Sequence, residues 1–196
     1  NTGTLILEGA SSIQNNQSTR GGGFYNAGTL YINGGTVQEN STSLDGGGIY
    51  QASGTLYING GTIQSNTAAI GRNGAGIFYD GGTFNLAGNP NISSNTVNSV
   101  ANNVYLKGNN NITITNILSN TTAIGIVCEN GHTDRAFTSG LSGKGNAEKF
   151  TSNVAGREIG VNSLGEAIIG IPYTLSFVEN DASIYVNGNK YDESTL

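Results

Sequence analysis

The chain of 196 residues has no tryptophan and no methionine, and it contains only one cysteine, two prolines and one histidine. The single thiol, Cys128, excludes an intramolecular disulfide and a cluster of thiolate ligands, so we expect a small buried side chain. The one histidine, His132, lies in a polar stretch where only Asp134 and Cys128 are nearby candidate partners, and a solvated loop position is expected. These absences predict a protein with no metal site and no cofactor.

Charged residues are also scarce. They make up 11% of the chain, the net charge is −5, and the lysines and arginines are scattered. Since no basic run is present to neutralise phosphates, a nucleic-acid partner is not expected. The apolar stretches are far too short to span a bilayer, so membrane insertion by this segment is not expected either. Asn1 is not a methionine and lies just before a repeat, which predicts a piece of a longer chain.

What the sequence has in abundance is glycine, with 31 residues, and a unit that recurs five times. GTLYINGGTVQEN at residues 28–40 returns as GTLYINGGTIQSN at residues 54–66, and weaker copies start at Gly3, Gly82 and around Asn110. Each copy holds three short alternating segments that are separated by Gly-Gly, Asn-Gly or Gly-Asn pairs, the pattern of strands between sharp turns. A period of about 25 to 28 residues is typical of a stacked repeat array.

Three short strands per copy favour one coil of a parallel β-helix. A leucine-rich repeat has a similar period but needs helical segments, for which the sequence has few residues, and a propeller blade needs a repeat of about 40 residues. We therefore predict an all-β protein, a right-handed parallel β-helix or solenoid of about five coils over residues 1–127. Residues 128–170 carry a hairpin pattern around Asn-Ser-Leu-Gly and are predicted to form a C-terminal cap. Residues 171–196 show a second hairpin pattern, which belongs either to the cap or to a following module.

Two sets of aromatic residues are predicted to project outward from the coils. If the Leu and Ile of each Leu-x-Ile segment point inward, Tyr31 points outward and Tyr57 stacks on it one coil later. A second column takes one ring from each coil: Tyr25, Tyr50, Phe78 and Tyr105. Stacking between coils is the favoured role of these rings. Recognition of a sugar or of a protein partner is the alternative role.

An asparagine recurs three residues after an apolar residue in every copy. The five positions are Asn16, Asn40, Asn66, Asn95 and Asn120. One interpretation is a ladder of ligand-binding amides. The favoured interpretation is a structural ladder, in which each asparagine takes a left-handed turn conformation and its amide bonds to the next coil. Aspartate would not serve there, because stacked carboxylates about 4.8 Å apart would repel.

At these motifs the chain resembles the repeats of the polymorphic outer-membrane proteins and related bacterial secreted and surface adhesins. That family alternates G-G-x-I tetrapeptides with F-x-x-N motifs on a right-handed β-helix. The first motif occurs here as Gly22-Gly23-Phe24 and Gly47-Gly48-Ile49, and the second has Ile or Val in place of Phe, as in Val37 to Asn40. The resemblance covers residues 1–127 and implies a non-enzymatic, extracellular module at a bacterial cell surface, with a glycan or a host-surface protein as its partner.

A carbohydrate-active enzyme, a polysaccharide lyase or hydrolase, is the alternative function. Such a site needs carboxylates grouped on one wall. The acidic residues within the repeats occupy non-equivalent positions and cannot stack: Glu8, Glu39, Asp45 and Asp80. Catalytic carboxylates would therefore have to come from the C-terminal region, where the candidates are Asp134, Glu148, Glu158 and Glu166.

An ice-binding solenoid is a third hypothesis. One threonine starts each of the first four copies and these residues form a column: Thr4, Thr29, Thr55 and Thr83. A flat face with two adjacent threonine columns is missing, which disfavours this hypothesis.

Overall fold

Apolar residues two positions apart make each repeat a series of short strands, and the computed structural model of the chain shows how these strands stack. It describes residues 1–129 and 135–170, together with the backbone of three later strands: Leu175–Phe177, Ile184–Val186 and Asn189–Tyr191. The architecture is the predicted all-β solenoid, in which parallel strands stack over about six turns. No α-helix forms within this described part of the chain. It accordingly offers no helix with the length and apolar character needed to cross a bilayer.

Four sheets form the sides of the solenoid, and we call them walls A to D in the order in which the chain visits them. Wall A has six strands: Thr4–Leu7, Thr29–Ile32, Thr55–Ile58, Thr83–Gly88, Ile112–Leu118 and Thr138–Ser139. Wall B has four strands: Ser12–Gln14, Thr36–Gln38, Thr62–Gln64 and Asn91–Ser93. Wall C has four parallel strands and one antiparallel strand at its end: Gln17–Ser18, Ser41–Thr42, Thr67–Ala68, Thr96–Val97 and Val100–Ala101. Wall D has six strands: Phe24–Asn26, Ile49–Gln51, Ile77–Tyr79, Val104–Leu106, Ile124–Cys128 and Phe150–Ser152.

Equivalent residues of successive turns lie directly beside one another in the walls. On wall A, Leu5 pairs with Leu30 and Leu30 with Leu56, and the column continues through Phe84 and Ile112. All of these side chains are fully buried except that of Leu5, which lies in the outermost strand and is 41% exposed. Walls B and D add further inward columns: Val37, Ile63 and Ile92, and Ile49, Ile77, Val104 and Ile126. Removal of this continuous apolar surface from water is the main force that holds the turns together.

The corner between walls C and D is tight enough to require glycine. A Cβ atom on Gly47 would lie 2.4 Å from the carbonyl oxygen of Thr67 and 2.5 Å from that of Ala75. Neither oxygen can move away, because both belong to the backbone of the next turn. This close approach explains why a glycine pair precedes the wall D strand in the most regular copies of the repeat.

A ladder of asparagine side chains runs along the corner between walls B and C. The backbone N–H and the side-chain amide of each member donate to Oδ1 of the next, at 2.9 to 3.1 Å, from Asn16 through Asn40 and Asn66 to Asn95. Asn40, Asn66 and Asn95 are fully buried. Buried amides that satisfy one another in this way link each turn to the next.

The predicted fifth member of the ladder, Asn120, lies elsewhere. Its side-chain amide donates to the carbonyl oxygens of Thr122 and Lys149. After Asn95 the ladder continues through Asn103 and Asn153 instead. The reason is that the antiparallel strand Val100–Ala101 folds back on wall C and brings Asn103 beside Asn95, only eight residues later.

The left-handed backbone conformation also falls one residue earlier than expected. It belongs to the residue that precedes each of the first four ladder asparagines, with φ between 53° and 58°: Asn15, Glu39, Ser65 and Ser94. This residue turns the chain sharply, so that the next side chain can enter the corner. The asparagine is therefore selected for its amide hydrogen bonds and not for its tolerance of positive φ.

Stacking continues beyond residue 127, the boundary expected from the sequence. Strand Thr138–Ser139 joins wall A and strand Phe150–Ser152 joins wall D. Phe137 and Phe150 are buried and meet edge to face, with ring centroids 5.3 Å apart. Larger rings thus fill the last turn, which is why the aliphatic repeat pattern is no longer visible there.

The predicted hairpins follow the last turn. Glu158–Val161 pairs antiparallel with Ala167–Gly170, and the side chains of Ala167 and Ile169 join the main hydrophobic core. This hairpin therefore covers the end of the solenoid, as a cap should. Further along, Leu175–Phe177, Ile184–Val186 and Asn189–Tyr191 form a separate antiparallel sheet, and the other residues of the predicted tail lie outside the described part.

Candidate functional site

The aromatic column on wall D is stacked but largely closed to solvent. Tyr25, Tyr50, Phe78 and Tyr105 follow one another with ring centroids 5.1 to 5.3 Å apart. The last three form a buried cluster separate from the main core. The expected outward direction is therefore observed. However, Tyr50, Phe78 and Tyr105 are only 5 to 8% exposed, and Tyr25, in the outermost strand, is 46% exposed. Burial by stacking removes most of the ring surface that a ligand would need, so this column is structural.

Polar groups fix the outer ends of these rings. The hydroxyl of Tyr50 donates to Oδ2 of Asp80 at 2.6 Å, and the other oxygen of Asp80 forms a salt bridge of 2.5 Å with Lys107. Burial and the hydrogen bond to Asp80 raise the pKa of Tyr50 above its usual range. Burial alone would raise the pKa of Asp80, but its bonds with Lys107 and Tyr50 outweigh that effect and lower it. Burial together with the nearby carboxylate of Glu129 raises the pKa of Tyr105 to about 12.

Wall A carries the second aromatic pair, and here the rings reach solvent. Tyr31 and Tyr57 stack with ring centroids 4.5 Å apart and planes 5° from parallel, and both are half-buried. Their faces cover each other, so a ligand would meet the ring edges and the hydroxyl groups. Within the described residues neither hydroxyl has a hydrogen-bond partner. The pair thus presents two phenol groups side by side, one on each of two adjacent turns.

An amide pair follows directly after two strands of wall A, two residues beyond each tyrosine. Nδ2 of Asn59 donates to Oδ1 of Asn33 at 2.8 Å, and both residues are exposed. Residues two apart on an extended chain share a face, with about 6.8 Å between them. The tyrosine pair and the amide pair therefore form one uncharged patch, which we call the wall A patch: Tyr31, Asn33, Tyr57 and Asn59.

A groove of about 580 Å³ opens at the Asn59 end of the wall A patch. Its lining consists of Asn59, Ala87, Gly88, Thr115, Asn116, Ile117 and Ser119. A register shift creates it: Leu86 pairs with Ile114 but Gly88 pairs with Leu118, so strand Ile112–Leu118 carries two extra residues. The exposed segment Thr115, Asn116 and Ile117 projects from the wall as a consequence.

The threonine column of the ice-binding hypothesis is present in register. Thr4, Thr29, Thr55 and Thr83 pair along wall A. The column beside it does not repeat threonine: its members are Ile6, Tyr31, Tyr57 and Asn85. Wall A therefore lacks two regular threonine columns.

Several of the acidic residues named from the sequence accept hydrogen bonds within the solenoid. Asp45 accepts a hydrogen bond from the backbone N–H of Asn73, and Glu166 accepts bonds from the Thr138 hydroxyl and from backbone N–H groups of the last turn. Two carboxylates do share one opening. Glu148 and Glu158 line a groove of about 320 Å³ in the cap together with Arg157, whose Nη1 atom is buried without a hydrogen-bond partner among the described residues.

The one thiol adds nothing to these sites. Cys128 is buried, and burial raises its pKa to about 12, so the thiol stays protonated and unreactive. His132 and Asp134 lie outside the described residues. Across residues 1–129 and 135–170, no three side chains of the His, Cys, Asp or Glu type come close enough to hold a metal ion.

Comparison with known proteins gives no match that could assign a role to these sites. The chain matches no protein-family model, no curated protein and no solved structure.

Sequence reasoning missed two elements of the wall A patch and its groove. Asn33 and Asn59 each begin an Asn-Gly pair that recurs in two copies of the repeat. Because such a pair is typical of turns, it predicts a turn and no function. The projecting segment lies in the weak last copy, around Asn110, and the spacing of the copies gives no sign of the two extra residues in its strand.

Proposed function

We propose that the chain is a non-enzymatic, adhesin-like module that acts outside the cell, on a bacterial surface, and binds a glycan or a host-surface protein through wall A. The observation that carries this proposal is the wall A patch. It places two uncharged phenol groups and two uncharged amides in matched pairs on adjacent turns, with the tyrosines half-buried and the asparagines exposed. Hydroxyl and amide groups beside aromatic rings suit the hydroxyl-rich surface of a neutral sugar.

The solenoid supports this function because it holds the patch rigid. Each turn is fixed by parallel backbone pairing, by the buried aliphatic columns and by the asparagine ladder. A surface that is already ordered loses little conformational entropy on binding. Weak contacts that repeat from turn to turn can then add up to useful avidity when many copies are displayed together.

A binding experiment with matched variants tests the proposal. The wild-type chain and the double variant Tyr31→Ala/Tyr57→Ala are compared on arrays of neutral and acidic glycans and on immobilised matrix proteins. We expect the wild type to bind a subset of neutral glycans or one host protein, and the double variant to lose at least about tenfold in affinity. The control is Gln38→Ala/Gln64→Ala, which removes a half-buried amide pair on wall B and should leave binding unchanged.

Two results would count against the proposal. One is an absence of binding to all glycans and host proteins at high display density. The other is an equal loss in both double variants, which would point to general destabilisation. Urea unfolding of each variant distinguishes this second case from a true loss of contacts.

A carbohydrate-active enzyme is the second candidate, and one observation favours it. Glu148 and Glu158 line the same groove in the cap, beside hydroxyl groups of Thr151 and Ser152. Two carboxylates in one groove are the minimum for acid/base cleavage of a glycosidic bond. Release of reducing ends from polysaccharides, abolished by Glu158→Gln but not by Glu39→Gln on the solenoid, would establish this activity. Undiminished activity in Glu148→Gln and Glu158→Gln would rule out the cap groove as its site.

A further inference from the structure

The groove beside Asn59 has a more specific chemistry than the rest of wall A. Its outer edge is the projecting segment Thr115, Asn116 and Ile117, and the N–H of Ser119 anchors the end of that segment to the carbonyl oxygen of Gly88 at 2.7 Å. Gly88 has a φ of 66°, and a Cβ atom there would lie 2.1 Å from the carbonyl oxygen of Asn59. The glycine is therefore needed for this close approach, and the groove has a defined shape.

Two side-chain amides line the groove, and each has one group that makes no hydrogen bond within the described residues. In one amide this group is the acceptor oxygen, and in the other it is the donor nitrogen. Nδ2 of Asn59 is used, because it donates to Asn33, which leaves Oδ1 of Asn59 as an acceptor. Oδ1 of Asn116 is used, because it accepts the N–H of Ile117 at 2.8 Å, which leaves Nδ2 of Asn116 as a donor. One free acceptor and one free donor match the N–H and C=O of a secondary amide.

The remaining lining is apolar or carries hydroxyl groups. Ile117 is 63% exposed, so a large aliphatic side chain is open to solvent at the edge of the groove, and the buried Ala87 is part of the lining. Thr115 and Ser119 add hydroxyl groups, and no charged residue is among the described residues that line the groove. The lining of the groove thus offers contacts for an amide, for a methyl group and for neighbouring hydroxyl groups. The nearby ammonium group of Lys144 donates to the carbonyl oxygen of Ile114 and is not part of that lining.

We infer that this groove binds the acetamido group of a neutral N-acetylated sugar, whose ring and hydroxyl groups then extend along the wall A patch toward Tyr57. The inference rests on the proposed function of wall A and names its ligand class. The acetamido group supplies an N–H for Asn59, a C=O for Asn116 and a methyl group for Ile117. An unsubstituted hexose lacks all three, and an acidic sugar brings a charge that the groove does not compensate.

The test uses three oligosaccharides of equal length and a titration of the whole chain by calorimetry. They are an oligosaccharide of N-acetylglucosamine, its glucose counterpart and its N-deacetylated counterpart. Two hydrogen bonds and a methyl contact predict about tenfold tighter binding of the acetylated form than of the glucose form. Asn116→Ala and Ile117→Ser should each reduce binding of the acetylated form about fivefold and leave binding of the glucose form unchanged.

The outcomes separate the two proposals. Equal binding of the acetylated and the glucose oligosaccharides would overturn this inference and leave the proposed function of wall A intact. Binding of neither oligosaccharide, nor of any other neutral glycan or host protein, would overturn both. Tighter binding of an N-acetylated peptide than of the acetylated sugar would show that the groove recognises peptide amides and would overturn the sugar assignment. Because the substituted residues are exposed, urea unfolding is expected to show unchanged stability for both variants.

Discussion

Oδ1 of Asn95 accepts two hydrogen bonds from Asn66, one from its backbone N–H at 3.0 Å and one from its side-chain Nδ2 at 2.9 Å. Nδ2 of Asn66 also donates to the carbonyl oxygen of Val37, one turn away in the other direction. A single buried side chain thus joins three successive turns. Only a residue with both a donor and an acceptor at this position can make all of these bonds.

Asn66→Asp should therefore destabilise the protein by at least about 3 kcal/mol at neutral pH. The new carboxylate would place an oxygen against two acceptors, Oδ1 of Asn95 and the carbonyl oxygen of Val37, with no donor for either. Urea unfolding monitored by circular dichroism measures the loss. Gln64→Ala is the control, because it removes an amide bond on the surface of wall B and should cost less than about 1 kcal/mol. Equal losses in the two variants would show that the buried ladder has no special role.

Phe78→Ala should destabilise the protein by about 3 kcal/mol, although its ring lies outside the main core. The ring is 5% exposed and stacks on Tyr50 and Tyr105 on its two sides, so truncation leaves a gap in the column. Tyr25→Ala should cost about 1 kcal/mol, since Tyr25 is half exposed and stacks on one ring only. Chemical unfolding of both variants tests this ranking, and a larger loss for Tyr25→Ala would contradict it.

Ser65→Gly should stabilise the protein by up to about 1 kcal/mol. Ser65 has a φ of 54°, a conformation that is unfavourable for a residue with a Cβ atom and that glycine adopts freely. Ser53→Gly is the matched control: Ser53 is exposed and has no positive φ, so glycine there should destabilise by a few tenths to about 1 kcal/mol. Thermal unfolding midpoints that fall in both variants would contradict the assignment of strain to Ser65.

Stability should decrease in acid through Asp80. The pKa of Asp80 is lowered in the folded protein from its ordinary value of 3.8, because its bonds with Lys107 and Tyr50 outweigh burial. Its contribution is therefore present above about pH 4 and is lost as the pH falls through the lower, folded-state pKa. Urea unfolding between about pH 5 and pH 2 should show a smaller acid-dependent loss in Asp80→Asn than in the wild type. Identical pH profiles would show that Asp80 is not coupled to folding.

Much of the fold could be predicted because its main signal is local and repeated. Leu30 and Leu56 occupy the same position in two nearly identical copies, and parallel stacking of identical copies places them in one buried column. The same argument predicted the stack of Tyr31 on Tyr57 and the ladder from Asn16 to Asn95. Periodicity fixes which residues are equivalent, and equivalence fixes the pairing register.

The prediction failed where an irregular segment interrupts the repeat. The antiparallel strand Val100–Ala101 moves the ladder from Asn120 to Asn103, and nothing in the spacing of a single copy indicates that reversal. Burial of Tyr50 and Tyr105 could not be predicted either. It depends on the contacts that each ring makes with the turns on either side and with charged residues such as Asp80. The outward direction of a side chain follows from strand alternation, but its exposure does not.

The central claim, that wall A is the binding surface, is tested most directly by chemical-shift mapping of the isotope-labelled chain during titration with neutral glycans. The account predicts that the largest shifts occur at Tyr57, Asn59 and Asn116, while the wall B residues Gln38 and Gln64 stay unchanged. Largest shifts in the cap groove or on wall B would contradict it, as would the absence of any shift on wall A with both neutral glycans and host-surface proteins.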